Sequence, residues 1–204
     1  MKNGGILGYD LNEKTCQISY YDTAKDEPQT LEMAPGVSQI PLVLGYFKDH
    51  WVYGREAKRL QIAGAENTVG DLLGKAMRRE KARIAGKVYD GVWLLAKFIR
   101  MTLETFEEIE EITFSVPEVN VDTSKLLKSI GQHLGIDKNH ICVQDYKESF
   151  CQYMFDQPKE LWQYESALFF CDGQRIRAYM LHKLNPANVK GKEMFVTVEE
   201  VASA

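Results

Sequence analysis

Apolar and polar positions alternate along this chain in short, separable runs. Ile6-Leu7-Gly8-Tyr9-Asp10-Leu11 is an apolar run that meets an aspartate. Asn12 to Thr15 make a polar tip, and Cys16-Gln17-Ile18-Ser19-Tyr20-Tyr21 alternates like a half-buried strand. This pattern predicts strand, tight turn, strand. Gly8 lets something approach its backbone closely, and the tip offers N–H groups and Lys14 to an anion. The same stretch also fits an ordinary hairpin. Asp22 to Pro35 reads as polar and turn-rich. Ile40 to Phe47 reads as a third strand, Trp51-Val52-Tyr53 as a short return strand, and Arg55 to Ala63 as a helix. Lys75, Arg78, Arg79, Lys81, Arg83 and Lys87 read as a solvated helix face, with an anion contact as the alternative.

Gly91 to Phe106 carries the strongest helical periodicity, through Val92, Leu95, Ala96, Ile99, Leu103 and Phe106. Trp93, Leu94 and Phe98 widen that face, so deep burial is expected. Glu104, Glu107, Glu108, Glu110 and Glu111 crowd its end and oppose the helix dipole, so they are well solvated or the helix stops early. Glu111 to Val116 is a strand stopped by Pro117. Asp122 or Thr123 caps a helix carrying Leu126, Leu127, Ile130 and Leu134, with Gly135 as its C-terminal glycine. His140 to Gln144 is a strand, and Asp145 to Phe155 a short helix with Phe150, Cys151, Met154 and Phe155 inward. Ser166 to Cys171 is a strand reaching the turn signal Asp172-Gly173. Gln174 to Leu181 pairs back, and Met194 to Val201 is a last strand. Strands that alternate with helices imply right-handed crossovers and parallel pairing. The fold class is therefore α/β, a mixed five-stranded sheet with flanking helices.

Composition narrows the function classes. The 204 residues are 45% hydrophobic and 26% charged, enough for one large domain or two small lobes with a substantial core. A net charge of -4 argues against a general nucleic-acid binder. Lys97 and Arg100 interrupt the best candidate membrane span, Val92 to Met101. The N-terminus lacks a signal peptide's apolar segment. A soluble, cytoplasmic chain with no membrane partner is expected. Cys16, Cys142, Cys151 and Cys171 stand in apolar contexts and read as buried free thiols. The histidines are scattered without metal-ligand spacing.

One echo stands out. Leu7-Gly8-Tyr9-Asp10 and Phe169-Phe170-Cys171-Asp172 are both apolar strands that reach an aspartate at a turn. The echo resembles the paired phosphate hairpins of the actin, sugar-kinase and heat-shock-chaperone superfamily of ATPases. Tyr53-Gly54-Arg55-Glu56-Ala57 is similar to the chaperones' segment after the first hairpin, and Glu66-Asn67-Thr68-Val69 to the start of their next region. Ile112 to Pro117 resembles their strand ending in valine-proline, and Ile130 to Ile136 the helix end that follows. Asp145-Tyr146-Lys147-Glu148-Ser149 falls where that family has an acidic or amide residue opening a helix.

The resemblance implies the first lobe of a ribonuclease H-like, actin-like ATPase over residues 1–165, with residues 166–204 opening a second lobe. It implies ATP and magnesium as cofactors. Asp10, Asn12, Lys14, Thr15, Asp172 and Gly173 would be nucleotide-binding, with Asp10 and Asp172 on the metal side. Asp145 and Glu148 would be catalytic, orienting the attacking water in a phosphoryl transfer governed by positioning and electrostatics. Asp145 and Glu148 also fit a capping box in all but the first residue type, and Asp172-Gly173 a type I′ turn.

The departures from the family pattern are specific. Asn12, Glu13 and Lys14 stand where small residues are usual. Gly173-Gln174-Arg175 carries one glycine where the family has a run. Leu73 falls near the catalytic lysine position, with Lys75 only nearby. The second wall of the nucleotide site is missing from these residues. The expectation is a nucleotide-binding-like domain, a degenerate ATP hydrolase weak or inactive in isolation. It would act through domain movement and contact with a protein partner or the remaining lobe of a longer chain. The alternative is a non-catalytic assembly module that keeps the fold without the nucleotide.

Overall fold

The computed structural model describes residues 5–161, 166–171, 176–184 and 195–203. The chain divides into two units, Met1–Asp145 and Tyr146–Ala204. The opening hairpin pairs β1 (Ile6–Leu11) antiparallel to β2 (Thr15–Asp22), with Tyr9 opposite Ile18 and Asp10 opposite Gln17. β3 (Glu27–Thr30) extends the sheet beyond β2. It lies inside the stretch expected to be turn-rich. As an outer strand it bonds on one side only, tolerates Pro28, and needs no apolar alternation.

The run expected to form one strand is split. β4 (Ile40–Pro41) pairs with β2. β5 (Leu44–Phe47) pairs instead with β6 (His50–Tyr53) and with β7 (Thr68–Val69), so it belongs to a separate small sheet. α1 (Gly54–Ile62) connects β6 to β7. After α2 (Leu72–Arg78), β8 (Lys81–Ile84) and β9 (Lys87–Asp90) make a hairpin. The basic stretch is therefore half helix and half hairpin. Lys75 and Arg78 pair with Glu80 at 3.2 and 2.6 Å, and Arg78 also pairs with Asp71 at 2.6 Å.

α3 (Gly91–Leu103) starts where the Asp90 carboxylate accepts the Trp93 N–H at 2.8 Å, and it stops before the glutamate cluster. β10 (Glu111–Val116) then runs parallel to β1. α4 (Val121–His133) is capped by Asn120, not by Asp122 or Thr123. The Asn120 side chain accepts both the Thr123 N–H and its hydroxyl. Gly135 has φ +93, and the amides of Gly135 and Ile136 bond back to the carbonyls of Gln132 and Gly131, closing α4 as expected. β11 (Ile141–Asp145) lies parallel to β10. The sheet thus reads β11-β10-β1-β2-β3, with the short β4 also on β2. It is mixed and six-stranded rather than five-stranded.

One face of this sheet carries the core. Leu7, Tyr9 and Leu11 alternate in β1, as do Ile112, Phe114 and Val116 in β10. Leu94, Leu95, Phe98 and Ile99 of α3 and Leu127 and Ile130 of α4 pack in the same cluster. Burying one such side chain contributes about 1.5–3 kcal/mol. The Tyr9 hydroxyl is satisfied inside this core by Thr102 Oγ1 at 2.9 Å and Cys16 Sγ at 3.3 Å. Trp93 departs from the expected burial of its helix face, with 41% of its surface exposed.

In the second unit, α5 (Tyr146–Phe155) precedes β12 (Ser166–Cys171), β13 (Ile176–Leu184) and β14 (Phe195–Ser203). The three strands form an antiparallel sheet. Leu168 and Tyr179 are buried together, with Phe150 and Cys151 packed against them.

Candidate functional site

The first hairpin presents Asp10 near the end of β1, half-buried, one residue before the buried Leu11. The tip that follows is closed on itself. The Asn12 Oδ1 accepts the N–H groups of Lys14 and Thr15, each at 2.8 Å. The Asn12 N–H donates to the Thr15 carbonyl at 3.0 Å, and Asn12 and Thr15 also join through their side chains. This is an Asx turn, in which an asparagine side chain occupies the position of an external acceptor. Two of the amides that an anion would use are directed to Asn12. Releasing them costs about 0.5–1.5 kcal/mol per bond. Glu13 is exposed on the same tip, where it adds negative charge.

Gly8 has a local reason to be glycine. A Cβ there would run into the Ser19 hydroxyl of the paired strand. The close approach inferred from the sequence is made by Ser19, whose Oγ lies 3.5 Å from the Gly8 carbonyl as its donor. Asp10 faces away from the core, on the side of Gly8, Ser115 and Gln144. The register aligns Asp10 with Ser115, and Ser115 with Gln144. Asp145 is the last residue of β11, in register with Val116, one step along from that row. Glu148 lies in the first turn of α5, in the second unit. Asp172 and Gly173, the second-hairpin candidates, lie outside the described residues. Leu73 is buried, and Lys75 is paired with Glu80.

Cys16 is held neutral. Burial pushes its thiol up to about 12, beyond what its bond with Tyr9 lowers. Burial likewise raises Tyr9 far above the ordinary phenol range. These groups brace the hairpin against α3 and are poor nucleophiles at neutral pH. Cys142 corrects the expectation of uniformly buried thiols, because it alternates onto the other face of β11 and is exposed. Among the described residues, no group of three or more His, Cys, Asp or Glu side chains is placed to hold a metal ion. No helix among them is long and apolar enough to cross a membrane.

A model described as "Family of unknown function (DUF5716) C-terminal" matches residues 27–204. The chain belongs to this family. The DUF5716 C-terminal match starts at Glu27, so the tip from Asp10 to Thr15 lies ahead of it, whereas Asp145, Glu148 and Asp172 fall within it. A search of curated proteins returned no match.

Sequence reasoning missed a surface on α3. Trp93 stacks on Tyr89 at 4.6 Å and meets Trp51 at 5.6 Å, and Trp51 in turn meets Tyr46 at 5.5 Å. Next to this cluster a groove of about 520 Å³ opens between α3 and α4. The available signal was Lys97 and Arg100, spaced four and seven residues after Trp93 and therefore on the same stripe of the helix.

Proposed function

We propose that this chain is a non-catalytic interaction module on a ribonuclease H-like, actin-like scaffold that has lost its hold on nucleotide. The scaffold reading is supported by the order β11-β10-β1-β2-β3, with β1, β10 and β11 parallel and β2 antiparallel. The observation that carries the loss of nucleotide is the closed tip, in which Asn12 Oδ1 takes the amides of Lys14 and Thr15. A triphosphate would have to displace an intramolecular acceptor and sit beside Glu13.

A second reading, weak nucleotide binding within a longer protein, is favoured by Asp10 near the carboxyl end of β1, where open α/β sheets place ligands. Calorimetric titration with magnesium-ATP separates the two. The module reading expects no heat of binding at millimolar nucleotide. A micromolar dissociation constant, about -8 kcal/mol, overturns it.

A further inference from the structure

The groove between α3 and α4 differs in character from the rest of the chain. Its floor is apolar, made by Val92, Ala96, Ile130 and Leu134. Its cations are Lys97 and Arg100, while the chain as a whole carries -4. Arg100 is held in place, because its Nη2 donates to the His133 carbonyl at 3.1 Å. The His133 ring is held too, its Nδ1 donating to the Ser129 carbonyl at 2.6 Å. The groove's acid, Asp90, is engaged by the Trp93 amide at the start of α3. Trp93 forms one wall, half in solvent, and passes continuously into the aromatic cluster with Tyr89 and Trp51.

We infer that this groove docks an acidic amphipathic helix from a partner protein, a proposal that rests on the interaction-module reading and names its partner class. An apolar floor between two helices accepts side chains spaced at i, i+3 and i+4 from a third. Trp93 is the kind of large, partly exposed anchor that dominates interface energetics. Lys97 and Arg100 select carboxylates over ammonium groups on the incoming helix, which fixes its identity and orientation. A basic peptide or a polyanion without apolar side chains satisfies only half of this surface.

The test is selection of a random-peptide phage library on the full chain, followed by fluorescence anisotropy with the best-enriched peptide. The expected peptides pair leucine or aromatic residues at helical spacing with flanking glutamate or aspartate. Binding of the fluorescein-labelled peptide falls at least roughly tenfold, about 1.4 kcal/mol, in the Lys97→Glu/Arg100→Glu double variant. A version of that peptide with lysine for its acids binds the double variant and not the wild type. Unfolding cannot mimic that compensation. The proposal is overturned by no enrichment, by peptides without acidic excess, or by binding indifferent to the double variant. It is also overturned if light scattering finds a wild-type dimer that the double variant abolishes, since a second copy would then fill the groove. Nucleotide binding in the calorimeter would sink the module reading while leaving the peptide result standing, so the two failures are distinguishable.

Discussion

The two faces of the central sheet are built from the same strands and follow different rules. On one, Leu7, Tyr9, Ile112 and Phe114 are sealed under α3 and α4. On the other, the intervening positions are Gly8, Asp10, Thr113 and Ser115. Because strand side chains alternate, each residue's face is fixed by its parity. The packed face is specified by volume and apolarity. The opposite face is specified by small size and polarity, and there Gly8 is needed to admit Ser19. One strand therefore carries two sets of requirements, apolar volume on the packed face and small or polar side chains on the other.

The largest effect expected from this comparison is in thiol reactivity. Cys16 and Cys142 lie on opposite faces, one buried and one exposed. Labelling with a thiol reagent at neutral pH, mapped by mass spectrometry, should modify Cys142 at least roughly a thousandfold faster. That is the folded-to-unfolded ratio of even a marginally stable domain. The buried thiol also sets an alkaline limit. Its folded pKa of about 12 lies above its ordinary 9.0, so its contribution to stability is intact below pH 9 and is lost as pH rises toward 12. Thermal melts should therefore decline from pH 9 upward. Equal labelling of the two thiols would break the assignment of faces.

A smaller effect separates neighbours in one strand. Ile112→Ala should cost about 2–5 kcal/mol through the cavity it leaves, whereas Thr113→Val on the other face should stay within about 0.5 kcal/mol. Urea denaturation checks both, and similar costs would mean the second face is packed as tightly as the first.

The core face was legible because periodicity is a record of burial. β10 was expected from Glu111 to Val116, and α3 was expected through its Leu95 and Ile99 stripe. β3 was not legible, since a polar outer strand carries no apolar alternation. The split of Ile40 to Phe47 between two sheets was hidden because both halves are apolar, and only long-range pairing decides where each goes. Asn120 was passed over as a cap because Asp122 and Thr123 offer the same chemistry nearby. Of the candidate site, the placement of Asp10 near a strand end was readable. The closure of the tip by Asn12 was not, since Asn-Glu-Lys-Thr is compatible with an open anion loop and with an Asx turn alike.

The loss of nucleotide binding depends on the closure of the tip by Asn12, and amide resonances test it residue by residue. In two-dimensional nitrogen–proton spectra, the amides of Lys14 and Thr15 should exchange slowly with solvent and stay unmoved by millimolar magnesium-ATP. Replacing Asn12 by alanine should speed their exchange. If the nucleotide shifts the Lys14 and Thr15 amides in the wild-type chain, the tip opens to phosphate and the interaction-module account is contradicted.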